Sequence, residues 1–100
     1  MTVRQDPENN EIHALHSMVN LTGANVLEIG CGDGRLTWRY AEDATRVTAI
    51  DTFEPSILQA KEKAPARLRD HVRFEAVGFR EFASRTESDA FDVTILSWAL

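Results

Sequence analysis

One hundred residues, 43% hydrophobic and 27% charged, make one globular domain at most. No apolar run approaches the ~20 residues of a membrane-spanning helix. The polar, acidic start from Met1 to Glu11 is unlike a secretory signal, and a formal net charge of −5 argues against a general nucleic-acid surface. Cys31 is the only cysteine, so no internal disulfide forms; this fits a reducing compartment and a cytoplasmic location.

Ile12, Leu15, His16 and Val19 recur at three- and four-residue intervals and predict a helix over residues 8–20, ended by Thr22-Gly23. Residues 26–29 read as a first strand. Three glycines then fall within five positions, Gly30 to Gly34. Residues 35–41 have helical spacing, with Leu36, Tyr40 and Trp38 as apolar contributions. Residues 46–50 form a second strand. Pro55 suits the first turn of a helix carrying Ile57, Leu58 and Lys61, which stops before Pro65. Residues 72–76 form a third strand, Gly78 turns the chain, and residues 79–83 make a short helix. Residues 91–98 are nearly continuously apolar, as in a buried parallel strand. Lys61, Lys63, Arg67, Arg69 and Arg73 read as a solvated helix end and loop rather than a binding patch.

Strands alternating with helices imply an α/β fold, a doubly wound, mainly parallel sheet with helices on both faces. Right-handed crossovers place strands 2 and 3 on one side of strand 1, and strand 4 returns to the other, giving the order 3-2-1-4. Ligands in such sheets bind over the C-terminal strand ends, where the order reverses. Glu28 to Gly34, Asp51, Gly78 and Ser97-Trp98 fall at those ends.

The most informative stretch is Val26-Leu-Glu-Ile-Gly-Cys-Gly-Asp-Gly34. A strand, a glycine turn and a helix start bring bare backbone N–H groups toward a ligand. Asp51 closes the next apolar run, 21 positions after Gly30, near the ~20-residue offset of a ribose-binding carboxylate. A dinucleotide turn wants G-x-G-x-x-G, whose third glycine would fall on Arg35; here the pattern is G-x-G-x-G. Glu28, at the buried end of a central strand, is costly without a partner.

These residues resemble motif I of the class I, Rossmann-like S-adenosylmethionine-dependent methyltransferases, close to V-L-E-I-G-C-G-x-G. The resemblance implies a sheet that continues past Leu100. The chain would then be the cofactor-binding, N-terminal half of a domain, with residues 1–24 a leading helix and linker and 25–100 the core. It also implies S-adenosylmethionine as cofactor and methyl transfer to a small-molecule acceptor. Glu28 would hold the ammonium end of the cofactor, directly or through water, with the Gly30 carbonyl. Gly30 and Gly32 would let the main chain come close, and Cys31, Asp33 and Gly34 complete the turn. Asp51 would accept from the ribose hydroxyls; its other reading is a helix cap ahead of Pro55. Thr52, Phe53, Gly78 and Phe79 would border the adenine, one phenylalanine lining it and the other packed in the core. Gly78 stands where the family often has an acid, which leaves adenine to backbone contacts. Ser97 and Trp98 would border the acceptor. No residue is assigned as a catalytic base. Cys31 lacks a histidine in any matching motif, and His13 with His16 is too few ligands for a metal. Other readings of the fold are a nicotinamide dehydrogenase, an aminopropyl transferase and a non-catalytic cofactor-binding module.

Overall fold

The computed structural model describes residues 21–87 and 89–97; the helix expected at 8–20, with His13 and His16, and Trp98 lie outside them. The elements run β1 (Asn25–Ile29), α1 (Thr37–Tyr40), β2 (Arg46–Asp51), α2 (Glu54–Lys63), a 3-10 turn (Ala66–Leu68), β3 (Val72–Ala76), α3 (Phe79–Ser84) and β4 (Val93–Leu96). The four strands pair in parallel in the order β3-β2-β1-β4, the order expected from the sequence. β1 is central, with Glu28 beside Ala49 of β2 and Ile95 of β4.

Side-chain alternation along the strands builds two unequal layers. Val26, Val47, Ala49, Val72, Phe74, Val93 and Ile95 form one large core with Leu36 and Tyr40 near and within α1 and Ile57 and Ala60 of α2. Trp38 packs edge-on against Phe74, ring centroids 5.2 Å apart. On the opposite face, Leu27 and Ile50 meet Val77 and Phe82, with Ile29 and Phe91 packed around them. Helices therefore lie on both faces, and among the described residues one layer is far thinner than the other.

Two elements are shorter than their sequence spacing predicts. The helix expected over 35–41 holds only Thr37–Tyr40. Gly34 is left-handed at φ 88°, its N–H donates to the Cys31 carbonyl, and the Asp33 carboxylate accepts the Arg35 N–H at 3.3 Å. These bonds hold residues 33–36 in a turn. The strand expected over 91–98 is Val93–Leu96. Before it, Asn25 and Asp92 bond reciprocally: the Asp92 carboxylate accepts the Asn25 N–H and the Asn25 carbonyl accepts the Asp92 N–H. Phe91, outside the strand, tilts against Phe82 at 6.0 Å.

α2 follows its sequence signals. Pro55 lies in the first turn beside Glu54, and Lys61 and Lys63 complete the last turn, charges that complement the helix dipole. Ile57 and Ala60 face the core, whereas Leu58 points outward.

Candidate functional site

The glycine turn leaves β1 at the carboxyl end of the sheet. Gly30, Gly32 and Gly34 all have positive φ, at 82°, 57° and 88°, a region open to glycine and strained for other residues. The expectation of bare N–H groups fails here. The Gly30 and Cys31 N–H groups both donate to the Ile50 carbonyl, at 2.8 and 3.2 Å, and the Gly32 N–H donates to Asp51 Oδ2 at 2.9 Å. The first helix after the turn starts at Thr37, and the Trp38 N–H donates to the Gly34 carbonyl. What the turn presents is carbonyl oxygen and bare Cα. A Cβ built on Gly32 would meet no atom within 4 Å, so the chain is open there. Gly34 differs: it is buried, and a Cβ on it would lie 3.1 Å from both Phe74 Cζ and Trp38 Nε1. Its lack of a side chain serves packing.

Glu28 is 0% exposed and finds the partners its burial demands. Its Oε1 accepts from Thr37 Oγ1 at 2.6 Å and Tyr40 Oη at 2.7 Å. Its Oε2 lies 2.8 Å from Ser97 Oγ. Three hydroxyls from α1 and from the end of β4 thus converge on one carboxyl of β1. Burial raises the Glu28 carboxyl above its ordinary range, the nearby Asp51 charge adds to the rise, and the three hydroxyl bonds oppose it. Ser97 Oγ also lies 3.1 Å from the Gly30 carbonyl, which links Glu28 to the turn.

Thr37 and Tyr40 were not among the sequence candidates; Tyr40 was read only as an apolar helix residue. The signal lay in their spacing, since positions three apart share a helix face, and in the need of a buried carboxylate for donors.

Asp51, at the end of β2, holds the backbone on two sides. Its Oδ1 accepts the Phe53 N–H at 2.9 Å, just ahead of α2, and its Oδ2 holds the Gly32 N–H. An ionised carboxylate offers about four lone-pair sites, so each oxygen keeps capacity for one ligand hydroxyl. Beside it, the Val77 N–H donates to the Asp51 carbonyl, and a Cβ on Gly78 would sit 3.5 Å from Thr52 Cγ2. Thr52 and Gly78 are therefore adjacent. Neither phenylalanine is in the core, contrary to the expectation for one of them: Phe53 is 61% and Phe79 51% exposed. Phe53 caps α2 and Phe79 opens α3, both just past the carboxyl ends of β2 and β3, and both rings are left exposed.

The remaining candidates turn to structural work. Cys31 is buried in the main core; burial pushes its thiol up, so it is a thiol and a poor nucleophile. Asp33 faces Arg35 and, at 3.8 Å, Lys63. Arg67 pairs with Glu42 at 2.8 Å and Arg73 with Glu75 at 3.4 Å. Lys61, Arg69 and Arg73 border an open concavity beside β3, and all five cations of the cluster are solvated. Among the described residues no three His, Cys, Asp or Glu side chains gather as a metal site, and no helix is long and apolar enough to cross a membrane.

Comparison with known proteins agrees with this geometry. The ubiquinone biosynthesis O-methyltransferase of Pasteurella multocida is 33% identical over 73% of this chain and 33% of its own length. The structure of Haemonchus contortus phosphoethanolamine N-methyltransferase 1, with phosphoethanolamine and S-adenosylhomocysteine bound, superposes with a TM-score of 0.63 at 26% identity, over 83% of this chain and 17% of that one. The [4+2]-cyclase SpnF superposes at 0.70 and 26% identity, over 83% and 30%. The chain spans a third or less of the length of these relatives. The methyltransferase domain model matches residues 26–100, from the first strand onward, and the chain belongs to this methyltransferase family.

Proposed function

We propose that the protein transfers the methyl group of S-adenosylmethionine to a small-molecule acceptor in the cytoplasm. Residues 25–100 are its cofactor-binding half and residues 1–24 a leading helix and linker. The observation that carries this reading is the state of the glycine turn. Its first three N–H groups are engaged inside the protein, so it cannot cradle a pyrophosphate as a dinucleotide turn does. Carbonyls and bare Cα atoms suit a cationic amino-acid tail instead. This favours S-adenosylmethionine over a nicotinamide dinucleotide.

The residues fit that cofactor group by group. The Gly30 carbonyl would accept from its ammonium, and the open space at Gly32 would admit the tail and ribose. Asp51 would accept from the ribose hydroxyls, a charge-assisted contact. Thr52 and Phe53 with Gly78 and Phe79 would flank the adenine by apolar contact. When bound, the cofactor supplies a methyl group already activated by its sulfonium, so the protein contributes mainly proximity and orientation. Glu28, Thr37, Tyr40 and Ser97 hold the turn and the end of β4 in register for that purpose. The small-molecule acceptor is supported by the quinone-pathway and phosphoethanolamine enzymes among the relatives. The cytoplasmic assignment is supported by the free, buried Cys31.

Calorimetric titration with S-adenosylhomocysteine and with NAD tests this reading. Binding of the first and not the second is expected, and Asp51→Ala should weaken it about tenfold or more, the scale of lost charged hydrogen bonds. Tight NAD binding with no response to S-adenosylhomocysteine would overturn it. A second reading, a cofactor-binding protein that transfers no methyl group, draws on the likeness to the [4+2]-cyclase. Turnover with methyl-labelled S-adenosylmethionine separates the two.

A further inference from the structure

We propose that Glu28, relayed through Ser97, is a proton-coupled positioning residue for the Gly30 carbonyl, and that docking of an α-ammonium group on that carbonyl expels one proton from the pair. The inference rests on the proposed cofactor reading and deepens it. It starts from a count of protons. Ser97 Oγ carries one hydrogen and has three acceptors in reach: Glu28 Oε2 at 2.8 Å, the Gly30 carbonyl at 3.1 Å and the Ile29 carbonyl at 3.4 Å. If Glu28 is ionised, that hydrogen is drawn to Oε2 and the Gly30 carbonyl goes without it. If Glu28 holds a proton on Oε2, the carboxyl donates to Ser97 Oγ, and Ser97 donates onward to Gly30. Oε1 is unaffected, because it accepts from Thr37 and Tyr40 in either state.

The surroundings choose between the states. Glu28 is wholly buried, and the groups facing it are Thr37 and Tyr40 from α1, Ser97 beyond β4, and the Asp51 and Cys31 side chains nearby. Two of these are hydroxyls of α1, one is a further hydroxyl, one is a carboxylate and one a neutral thiol. No cation faces Glu28 among the described residues. The three hydroxyl bonds favour the ionised acid and burial with no counter-charge favours the neutral one; burial is the larger effect, so the carboxyl keeps its proton above the ordinary carboxylate range, and there the relay runs from Glu28 through Ser97 to Gly30. An ammonium group arriving at the Gly30 carbonyl supplies the missing positive charge. It takes over that acceptor, Ser97 turns its hydrogen to Oε2, and the Glu28 proton leaves to solvent. The turn is thus held in place by a hydroxyl when empty and by the ligand when filled.

The experiment is calorimetry of S-adenosylhomocysteine binding at a series of pH values from 4.5 upward, in buffers of different ionisation enthalpy, with 5′-methylthioadenosine, which lacks the amino-acid tail, as the matched probe. The expected result is proton release that passes through a maximum of up to about one proton across that series with S-adenosylhomocysteine, and none at any pH with 5′-methylthioadenosine. The affinity for the former should rise with pH by up to tenfold per unit, and that for the latter should stay flat. Glu28→Gln places an amide donor toward Ser97 and a carbonyl toward Thr37 and Tyr40, a fixed copy of the protonated state, and should bind without releasing a proton. Binding with no proton release, equal release with both probes, or release that persists in Glu28→Gln would each overturn the inference while leaving the cofactor reading intact. Failure to bind either probe would instead overturn the cofactor reading, and this inference with it. The pH dependence of the unmodified protein decides the matter even if the variant does not fold.

Discussion

The two flanks of the candidate site are built on opposite plans. On the β1–β4 flank the buried carboxyl and the first turn N–H groups are engaged inside the protein: Glu28 takes three hydroxyls, and the Gly30, Cys31 and Gly32 N–H groups go to Ile50 and Asp51. On the β2–β3 flank two phenylalanine rings stand in solvent. One flank is closed by bonds within the protein; the other leaves two rings uncovered by it. Under the proposed function this is a division of labour. The closed flank would fix geometry at a cost met during folding, and the open flank would hold back apolar area for binding. Asp51 joins them, with one oxygen on Gly32 and the other on Phe53.

The largest expected effect tests the closed flank. Glu28→Ala should cost about 3–5 kcal/mol of folding stability, the range for truncating a large buried side chain with donors left unpaired. Chemical denaturation measures it. A loss under about 1 kcal/mol, within the ordinary range for surface changes or modest rearrangement, would mean the three hydroxyls re-pair without Glu28. Glu28→Gln sharpens the point through pH. Because the Glu28 carboxyl is raised above its ordinary value of 4.5, the folded state keeps its proton to higher pH than the unfolded chain. Its contribution is full below that ordinary value and declines as pH rises toward the folded one. Glu28→Gln has no such proton, so its stability relative to the unmodified protein should grow from pH 4.5 upward; a constant difference would deny the raised carboxyl.

Next in size is Gly34→Ala, at the back of the same flank. The residue needs φ near 88°, which a side chain strains by about 1–3 kcal/mol. The new Cβ would also press Phe74 and Trp38, each 3.1 Å away. A loss of about 2–3 kcal/mol is expected, with affinity for S-adenosylhomocysteine reduced little in the variant that remains folded. Gly32→Ala should show the opposite balance, because its Cβ enters open space and meets no protein atom: the strain remains, but affinity falls more than packing. Paired melting and titration of the two variants check the contrast. Equal loss of affinity in both would mean that the two glycines do the same work.

Much of this was legible in the chain. The alternation of apolar runs and helical spacing gives β3-β2-β1-β4, because the handedness of the crossover leaves few other arrangements. The nine residues from Val26 to Gly34 mark the glycine turn at the carboxyl end of the sheet. The misreadings share a cause. Periodicity continued the helix back to Arg35 and the strand out to Phe91, because it does not register local hydrogen bonds, and those of Asp33 and Asp92 hold their neighbours outside the elements. Glu28 was visibly in need of partners, but its partners come from 9, 12 and 69 residues away. The last of these is brought in only by the pairing of β4 with β1. Phe53 and Phe79 were placed on either side of the core boundary because an aromatic residue after a strand carries no mark of whether anything covers it.

The smallest expected effect on folding belongs to the open flank, and it is the sharpest test of the division. Phe53→Ser and Phe79→Ser each remove a ring that is more than half exposed, so each should change stability by no more than about 0.5 kcal/mol. If the rings wait for a ligand, the same changes should weaken S-adenosylhomocysteine by about threefold to tenfold, since covering an aromatic side chain contributes on the order of 1 kcal/mol or more. The double variant should lose roughly the product of the two factors if the rings act on separate parts of the ligand, and less if they share one face of it. A 5′-methylthioadenosine titration localises the effect: this probe keeps the adenine and lacks the tail, so it should lose as much affinity as S-adenosylhomocysteine does. Glu28→Gln, on the other flank, should by contrast affect only the ligand that carries the tail. Should the serine variants bind both probes as tightly as the unmodified protein, the exposed rings do not serve the adenine, and the open flank would have to be read as surface left for some other contact.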